Sequence, residues 1–391
     1  MAIIKSILDT DLYKLTMQKA VLSTCPGVAA KYRFVNRRQE SRFNQDFAKR
    51  LNEEINFMSS LYLTDEEACF LHFHCPYLDE SYIQYLKNYR FNPAEISARV
   101  DVFGELQIDI SGPWERAILW EVPLMAIISE LYFSCINFKW TLENYENQTT
   151  NKALTLSSCN YSEFGTRRRR SYETQNSVIQ TLKNKNGFQG TSNVHFAHMY
   201  DLRPIGTMAH EWIMGISALE GLRHANRHAL RAWSKVFKGN LGIALTDTFG
   251  SDAFFEDFDG YTARLFDGVR HDSGDPHTFA EKTIKAYNKL HIDPLTKAII
   301  FSDGLTPIDA IAIKNQWDKL IKVRFGIGTN FTNDFGPDSP ALNMVIKLTE
   351  CAGVPVVKLS DTPSKAIGDP DALRVAEWTF FKIPLDNANG H

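Results

Sequence analysis

Short apolar runs that stop at polar residues, at fairly even intervals, constrain this chain more than any other feature. Leu241-Gly242-Ile243-Ala244-Leu245 ends at Thr246-Asp247, and the run around Leu265-Phe266 ends at Arg270-His271-Asp272. Ala298-Ile299-Ile300-Phe301 ends at Ser302-Asp303-Gly304, and Val323-Arg324-Phe325 ends at Gly326-Ile327-Gly328-Thr329. The polar ends at 247, 272, 303 and 328 lie roughly 25 to 31 residues apart, and an eight-fold β/α barrel uses roughly 31 per unit. Helical patterns fill the gaps. A barrel builds its active site at the C-terminal ends of its strands, so these polar ends are candidate functional positions. A doubly wound open sheet would produce similar text, and the barrel is the preferred expectation.

The first 130 residues read as a separate α+β unit, with residues 131–391 forming the α/β barrel. Residues 1 to about 25 read as a helix whose apolar face (Leu8, Leu12, Leu15, Met17-Ala20) lies behind Asp9-Thr10-Asp11. Residues 29–36 alternate as a strand, and 40–95 read as mostly helical. From Val100 to Ser111 the residues Leu106, Ile108 and Ile110 face one way, as in a half-buried strand. Gly112-Pro113 then opens an apolar helix from Trp114 to about Phe133, in which Pro123 predicts a kink.

At 391 residues and 44% hydrophobic composition, the chain can bury a large core. A formal net charge of −3 gives no global pull toward nucleic acid or anionic membrane. No apolar run is read as reaching the roughly 18 residues of a membrane helix. Met1-Ala2-Ile3-Ile4-Lys5-Ser6 lacks the apolar stretch and cleavage site of a secretory signal. Six cysteines without a C-x-x-C pair argue against a disulfide scaffold or structural zinc. The expectation is a cytoplasmic enzyme acting on small molecules, with no nucleic-acid or membrane partner.

Val269-Arg270-His271-Asp272-Ser273-Gly274-Asp275-Pro276 offers a cation, carboxylates and free N–H groups to a phosphorylated ligand. Asp275 and Pro276 fit a helix N-cap and first turn, which leaves Arg270 and Asp272 as the functional pair. Gly326-Ile327-Gly328-Thr329 lets backbone amides and a hydroxyl approach a phosphate. Arg167-Arg168-Arg169-Arg170 follows Glu163-Phe164-Gly165-Thr166 at the start of a helix; most of these arginines read as a solvated face, with one or two for a ligand. Ile205-Gly206-Thr207-Met208-Ala209-His210 reads as a short strand ending at a histidine with Glu211 beside it. That context suits a nucleophile or an acid–base role better than those of His224 and His228, which fit a helix surface.

Taken in order, Leu8-Asp9-Thr10-Asp11-Leu12-Tyr13-Lys14-Leu15, Phe164-Gly165-Thr166-Arg167-Arg168, Gly190-Thr191-Ser192-Asn193, Gly206-Thr207-Met208-Ala209-His210-Glu211-Trp212, Arg270-His271-Asp272-Ser273-Gly274-Asp275 and Phe325-Gly326-Ile327-Gly328-Thr329 resemble the nicotinate phosphoribosyltransferases over nearly the whole chain. The resemblance implies an irregular β/α barrel of the type II phosphoribosyltransferase kind with an N-terminal α+β sandwich domain. It implies transfer of a 5-phosphoribosyl group from phosphoribosyl pyrophosphate to nicotinate, the entry step of NAD salvage. The products are nicotinate mononucleotide and pyrophosphate, and the transfer is coupled to ATP hydrolysis through a phosphorylated histidine.

On the same resemblance, Tyr13 and Phe164 would sandwich the pyridine ring, and Arg167 would hold it near its carboxylate. Thr207 would line the pocket, and Ser192 would face the 3-substituent. Arg270, Gly328 and Thr329 would bind phosphoribosyl pyrophosphate, with Asp303 a weaker substrate-binding candidate. Asp272, or more weakly Asp247, would hold Mg²⁺, which enters with ATP and phosphoribosyl pyrophosphate. His210 would be the phosphorylated histidine, and Arg270 and Asp272 would serve the chemical step. Nicotinamide-using relatives carry aspartate where Ser192 stands, which points to the acid as substrate. Members of the family often pair as homodimers in which this tyrosine completes the neighbour's site. The segment from Lys358 to Lys365 also resembles the family, without an assigned ligand.

Three other readings are weaker. A quinolinate-using transferase would need extra cations and no His210 frame. A barrel isomerase or aldolase would show a central Schiff-base lysine or acid–base pair, for which Lys358 is the one nearby lysine candidate. A phosphosugar-binding protein would not need a phosphorylatable histidine.

Overall fold

The computed structural model describes residues 2–37 and 41–382, and places them in two sheets that share one core. The first sheet is antiparallel. Its strands are β1 (Ala29–Asn36), β2 (Ile96–Val100), β3 (Leu106–Pro113), β10 (Met344–Cys351) and β11 (Val354–Pro355), in the order β11-β10-β1-β3-β2. The second sheet is parallel: β4 (Tyr161–Glu163), β5 (Phe188–Thr191), β6 (Ile243–Leu245), β7 (Gly268–His271), β8 (Ala298–Phe301) and β9 (Lys322–Ile327), in the order β5-β4-β9-β8-β7-β6. The runs ending at 247, 272, 303 and 328 are β6 to β9, side by side in the sheet.

This second sheet is the barrel, and it closes irregularly. No strand joins β6 to β5 among the described residues. The extended segment 204–207 fills that gap instead. Pro204 bridges Thr191, Ile205 N–H donates to Thr191 O at 2.8 Å, and the Thr207 hydroxyl donates to Ile243 O at 3.0 Å. The segment was expected to be a strand. It stays outside regular ladder pairing because Gly206 lies hard against the helix Leu12–Thr24, where an added Cβ would sit 3.2 Å from Tyr13 N.

Several local expectations are corrected. The first helix begins at Leu12, not at the chain start. Residues 8–12 instead pair with the chain beyond β5, through His195 N to Leu8 O, Val194 N to Thr10 O and Leu12 N to Ser192 O, all at 2.8–2.9 Å. Those bonds compete with the helix for the same backbone groups. The stretch Val100–Ser111 is two strands, β2 and β3, because Asp101 turns the chain by accepting from Phe103 N and Glu105 N at 2.9 Å each. Leu265 ends a helix, Gly260–Leu265, and β7 starts only at Gly268. Strand β9 runs on through Gly326 to Ile327.

The apolar run Trp114–Cys135 is helical over 22 residues, long and apolar enough by length and composition to cross a membrane. That corrects the expectation that no run reaches this length, but the helix is buried in the protein core. Its one irregularity is a 3₁₀ turn at Ile118–Trp120, just before Pro123. A proline there has no N–H to give and crowds the carbonyl four residues back, Leu119, so the distortion falls in that turn.

Candidate active site

One cavity of about 1280 Å³ has its mouth at the C-terminal ends of the barrel strands and continues through the barrel to Gly242, Asp267, Ala298 and Lys322 at their N-terminal ends. Tyr13, Phe164, Arg167, Ser192, Thr207, His210, Arg270, Asp272, Asp303, Gly328 and Thr329 all line it. Asp247 lies directly behind His210.

At one end of its mouth, β4 delivers Phe164 and Arg167, β5 delivers Ser192, and the helix Leu12–Thr24 delivers Tyr13 to its own chain's cavity, not to a neighbour's as the resemblance implied. The Phe164 ring occupies the space above Gly326: a Cβ there would meet ring carbons at 2.3 Å. The Arg167 guanidinium lies 5.8 Å from the centroid of the Tyr13 ring and 3.3 Å from Glu121 Oε1. The Ser192 hydroxyl donates to Asp11 Oδ1 at 2.7 Å. Burial pushes the Asp11 carboxyl up from its usual range, against the pull of Arg167. Thr207 is held from both sides, since its carbonyl also accepts from the Thr16 hydroxyl at 2.6 Å.

At the other end, His210 is the first residue of the helix His210–Glu220. Its Nε2 lies 2.9 Å from Asp247 Oδ1 and 3.7 Å from Asp272 Oδ2. Burial, with Lys358 nearby, pushes the imidazole down to about 4, so it is neutral at pH 7. Asp247 is held well below the carboxylate range: burial opposes ionisation, but His210 and Lys358 outweigh it. An ionised Asp247 only accepts, so Nε2 carries the proton and Nδ1 keeps the free lone pair. The second Asp247 oxygen takes Ser273 Oγ at 2.6 Å and Lys358 Nζ at 3.0 Å.

Asp272 sits nearer the opening. Burial would raise its carboxyl, but Arg270, 3.3 Å away, and His210 hold it at about 2. Ser302 donates to its other oxygen at 2.9 Å. Arg270 reaches Met208 O at 3.3 Å, and its Nε is buried without a partner. His210, Asp247 and Asp272 bring one donor atom each within 4.8 Å of one another, close enough for an ion. Mg²⁺ takes oxygen rather than imidazole, and Asp247 is buried behind His210 while Asp272 faces the cavity, which leaves the Asp272 carboxylate as the fitting ligand of the three. Lys365 pairs with Asp303 at 2.6 Å and reaches Asp272 O at 3.3 Å. The segment from Lys358 to Lys365 therefore presents one lysine to each of Asp247 and Asp303.

The arginine run is not a solvated face. Arg169 and Arg170 are fully buried. Arg169 grips Asp9 with two bonds, 2.8 and 2.9 Å, and Arg170 lies 3.5 Å over the Phe133 ring and donates to Ser339 Oγ at 2.8 Å. Only Arg167 and Arg168 line the cavity. The helix behind them starts at Tyr172 and is capped by Ser171, which accepts from Thr174 N. Asp275 is the expected N-cap of the helix Pro276–Lys289, accepting from Thr278 N.

Sequence reading missed Glu121 and Lys347, which also line the cavity, and the buried Lys14 beside it. Burial, together with Arg167, pushes the Lys347 ammonium down to about 8, although Glu121 pulls the other way. Lys347 comes from β10, in the other sheet. Its alternation with Ile346 and Leu348 marks a polar strand face, but nothing in the sequence says that this face looks into the barrel mouth.

Known proteins resemble this chain over nearly its whole length. The model of the nicotinate phosphoribosyltransferase family matches residues 159–384, and that of the family's N-terminal domain matches residues 8–129. A nicotinate phosphoribosyltransferase of Methanococcoides burtonii is 48% identical, with 98% of this chain and 99% of the relative aligned. Nicotinate phosphoribosyltransferase 2 of Pseudomonas aeruginosa is 42% identical, with 97% of each chain aligned. Among solved structures, the nicotinate phosphoribosyltransferase of Porphyromonas gingivalis superposes with a TM-score of 0.94 at 41% identity, over 97% of this chain and 100% of that one. That of Vibrio cholerae gives 0.92 at 37% identity, over 98% and 96%. The chain belongs to the nicotinate phosphoribosyltransferase family.

Proposed function

We infer that this chain transfers the 5-phosphoribosyl group of phosphoribosyl pyrophosphate to the ring nitrogen of nicotinate, releasing pyrophosphate and forming nicotinate mononucleotide. ATP is the co-substrate: His210 Nδ1 attacks its terminal phosphorus and ADP leaves; water later attacks the phosphohistidine, the N–P bond breaks, and inorganic phosphate and free His210 result. The observation that carries this reading is that one cavity holds both an aromatic-and-arginine end and a neutral, carboxylate-backed histidine.

Tyr13 and Phe164 would stack on the pyridine, and Arg167 would meet its carboxylate. Ser192 and Thr207 would line the ring edge, with the Ser192 hydroxyl turning from Asp11 toward the ligand. The pyridine nitrogen has its own lone pair, so transfer needs no general base. The work lies in the leaving group and an oxocarbenium-like transition state. Arg270, with Gly328 and Thr329 at the start of the helix Thr329–Thr332, would bind the phosphates, and Asp272 would balance positive charge developing on the ribose. Mg²⁺, bound with the phosphates, would supply charge neutralisation at the pyrophosphate; Asp272 and Asp303 are the carboxylates that would hold it. We further propose that the chain works in the cytoplasm and pairs as a homodimer, which its mass in solution tests.

The test is incubation with terminally labelled ATP, nicotinate and phosphoribosyl pyrophosphate. Nicotinate mononucleotide should form, and an acid-labile label should appear on His210. Absence of both overturns the reading. His210→Ala should lose the ATPase while keeping a slow, ATP-independent transfer.

A further inference from the structure

A buried chain of charges runs between the two ends of the cavity, and the roles assigned above leave it unexplained. Lys14 is fully buried, with Nζ 2.6 Å from Glu121 Oε2 and 2.5 Å from Glu211 Oε2. Glu211 also accepts from Trp114 Nε1 at 2.8 Å and from the Tyr32 hydroxyl. Glu121 turns its other oxygen to Arg167, 3.3 Å away. Each end of this chain is bonded or paired to a residue with a proposed ligand. Glu211 is covalently next to His210, Lys14 is next to Tyr13, and Arg167 is itself the candidate for the nicotinate carboxylate.

Stability alone does not account for it. A buried set of ion pairs is often no more stabilising than apolar residues of the same volume. What it does provide is a stiff link. Lys14 pairs with two buried carboxylates at once, with no water-exposed alternative, so displacing either carboxylate disturbs the shared ammonium and, through it, the other. Phosphorylation of His210 would add negative charge at the first turn of its helix, beside Asp247 and Asp272, and shift Glu211 with it.

We propose that Lys14 is a positioning residue that couples the phosphorylation state of His210 to the nicotinate pocket, through Glu211 on one side and through Tyr13 and Glu121–Arg167 on the other. The inference rests on the phosphohistidine reading. Coupling of this kind is reciprocal: if the phosphorylated state binds nicotinate more tightly, nicotinate stabilises that state by the same factor.

The test compares the wild type with the double variant Lys14→Met/Glu211→Gln, which removes one charge of each sign and leaves Glu121 paired with Arg167. Nicotinate KM is measured with and without ATP, alongside label on His210 and ATP hydrolysed per product formed. In the wild type, ATP should lower nicotinate KM by roughly tenfold, within the usual range of coupling energies. The double variant should still label His210 and keep its ATP-independent transfer, but ATP should shift its KM by no more than about twofold, and more ATP should be used per product. Equal ATP stimulation in both proteins overturns the coupling role and leaves the phosphohistidine reading intact. No label and no ATP effect in the wild type overturns both. If the double variant does not fold, Glu211→Gln alone, which keeps Lys14 paired with Glu121, gives the same comparison.

Discussion

A histidine with two aspartates beside it would ordinarily charge easily, yet His210 is held neutral. Its burial and the nearby Lys358 outweigh Asp247 and Asp272. Because the folded-state value of about 4 lies below the ordinary 6.5, the unfolded chain binds the extra proton first. The stability linked to this residue is therefore intact above about pH 6.5 and is lost as pH falls toward 4. The same shift predicts that ATP hydrolysis does not lose activity to His210 protonation between pH 8 and 6, and falls on an acid limb well below 6. A pH profile of ATPase rate checks this, and an acid midpoint near 6.5 would contradict it. Ser192 makes a second prediction. Ser192→Asp places a carboxylate next to Asp11, whose own carboxyl burial already raises, and it would repel the nicotinate carboxylate. We expect selectivity for nicotinate over nicotinamide to fall by roughly a hundredfold, read as the ratio of kcat/KM values for the two bases. Unchanged selectivity would remove Ser192 from the pocket's specificity.

At the scale of elements, what matters is how loop ends are held. Phe164 keeps its place because Gly326, on the neighbouring strand, leaves room for its ring. Gly326→Ala should cost about 1–3 kcal/mol by overpacking and raise nicotinate KM about tenfold as the ring is pushed out. Denaturant midpoints and steady-state kinetics measure the two effects, and a normal KM would mean that the ring position does not matter to the base. The Asp9–Arg169 pair ties the segment before the first helix to the loop after β4. Arg169→Met leaves Asp9 buried without its partner and should cost about 3–5 kcal/mol in urea unfolding. A loss below about 1 kcal/mol would show that Asp9 finds water or another donor. These loops were partly legible in the sequence. Asp275-Pro276 could be read as a cap because a cap is a local device, whereas the arginine run was misread because burial of Arg169 and Arg170 depends on Asp9, Ser339 and Phe133, all distant in sequence.

The whole molecule adds a dependence that no segment shows. Strand β10, from near the C-terminal end, lies between β1 and β11 and carries Lys347 to the cavity. A chain ending at residue 343 would leave β1 paired only with β3 and expose its open edge. It should fail to give a soluble, cooperatively melting protein, as circular dichroism and size exclusion would show. A normal melt would mean that β10 is dispensable to the core.

The sequence by itself determined the local periodicities: the parallel strands whose ends fall at 247, 272, 303 and 328, the helix cap at Asp275, and the motifs that mark the family. Those depend on neighbours within a few residues, so they are written in order along the chain. Only the tertiary structure decided the closure of the barrel through residues 204–207 and the start of the first helix at Leu12. It also decided the burial of two arginines and the meeting of Lys14, Glu121, Glu211 and Lys347 around one cavity. Each of these rests on contacts between residues tens to hundreds of positions apart, where the pairing energy is set by burial and distance in space and leaves no local pattern to read.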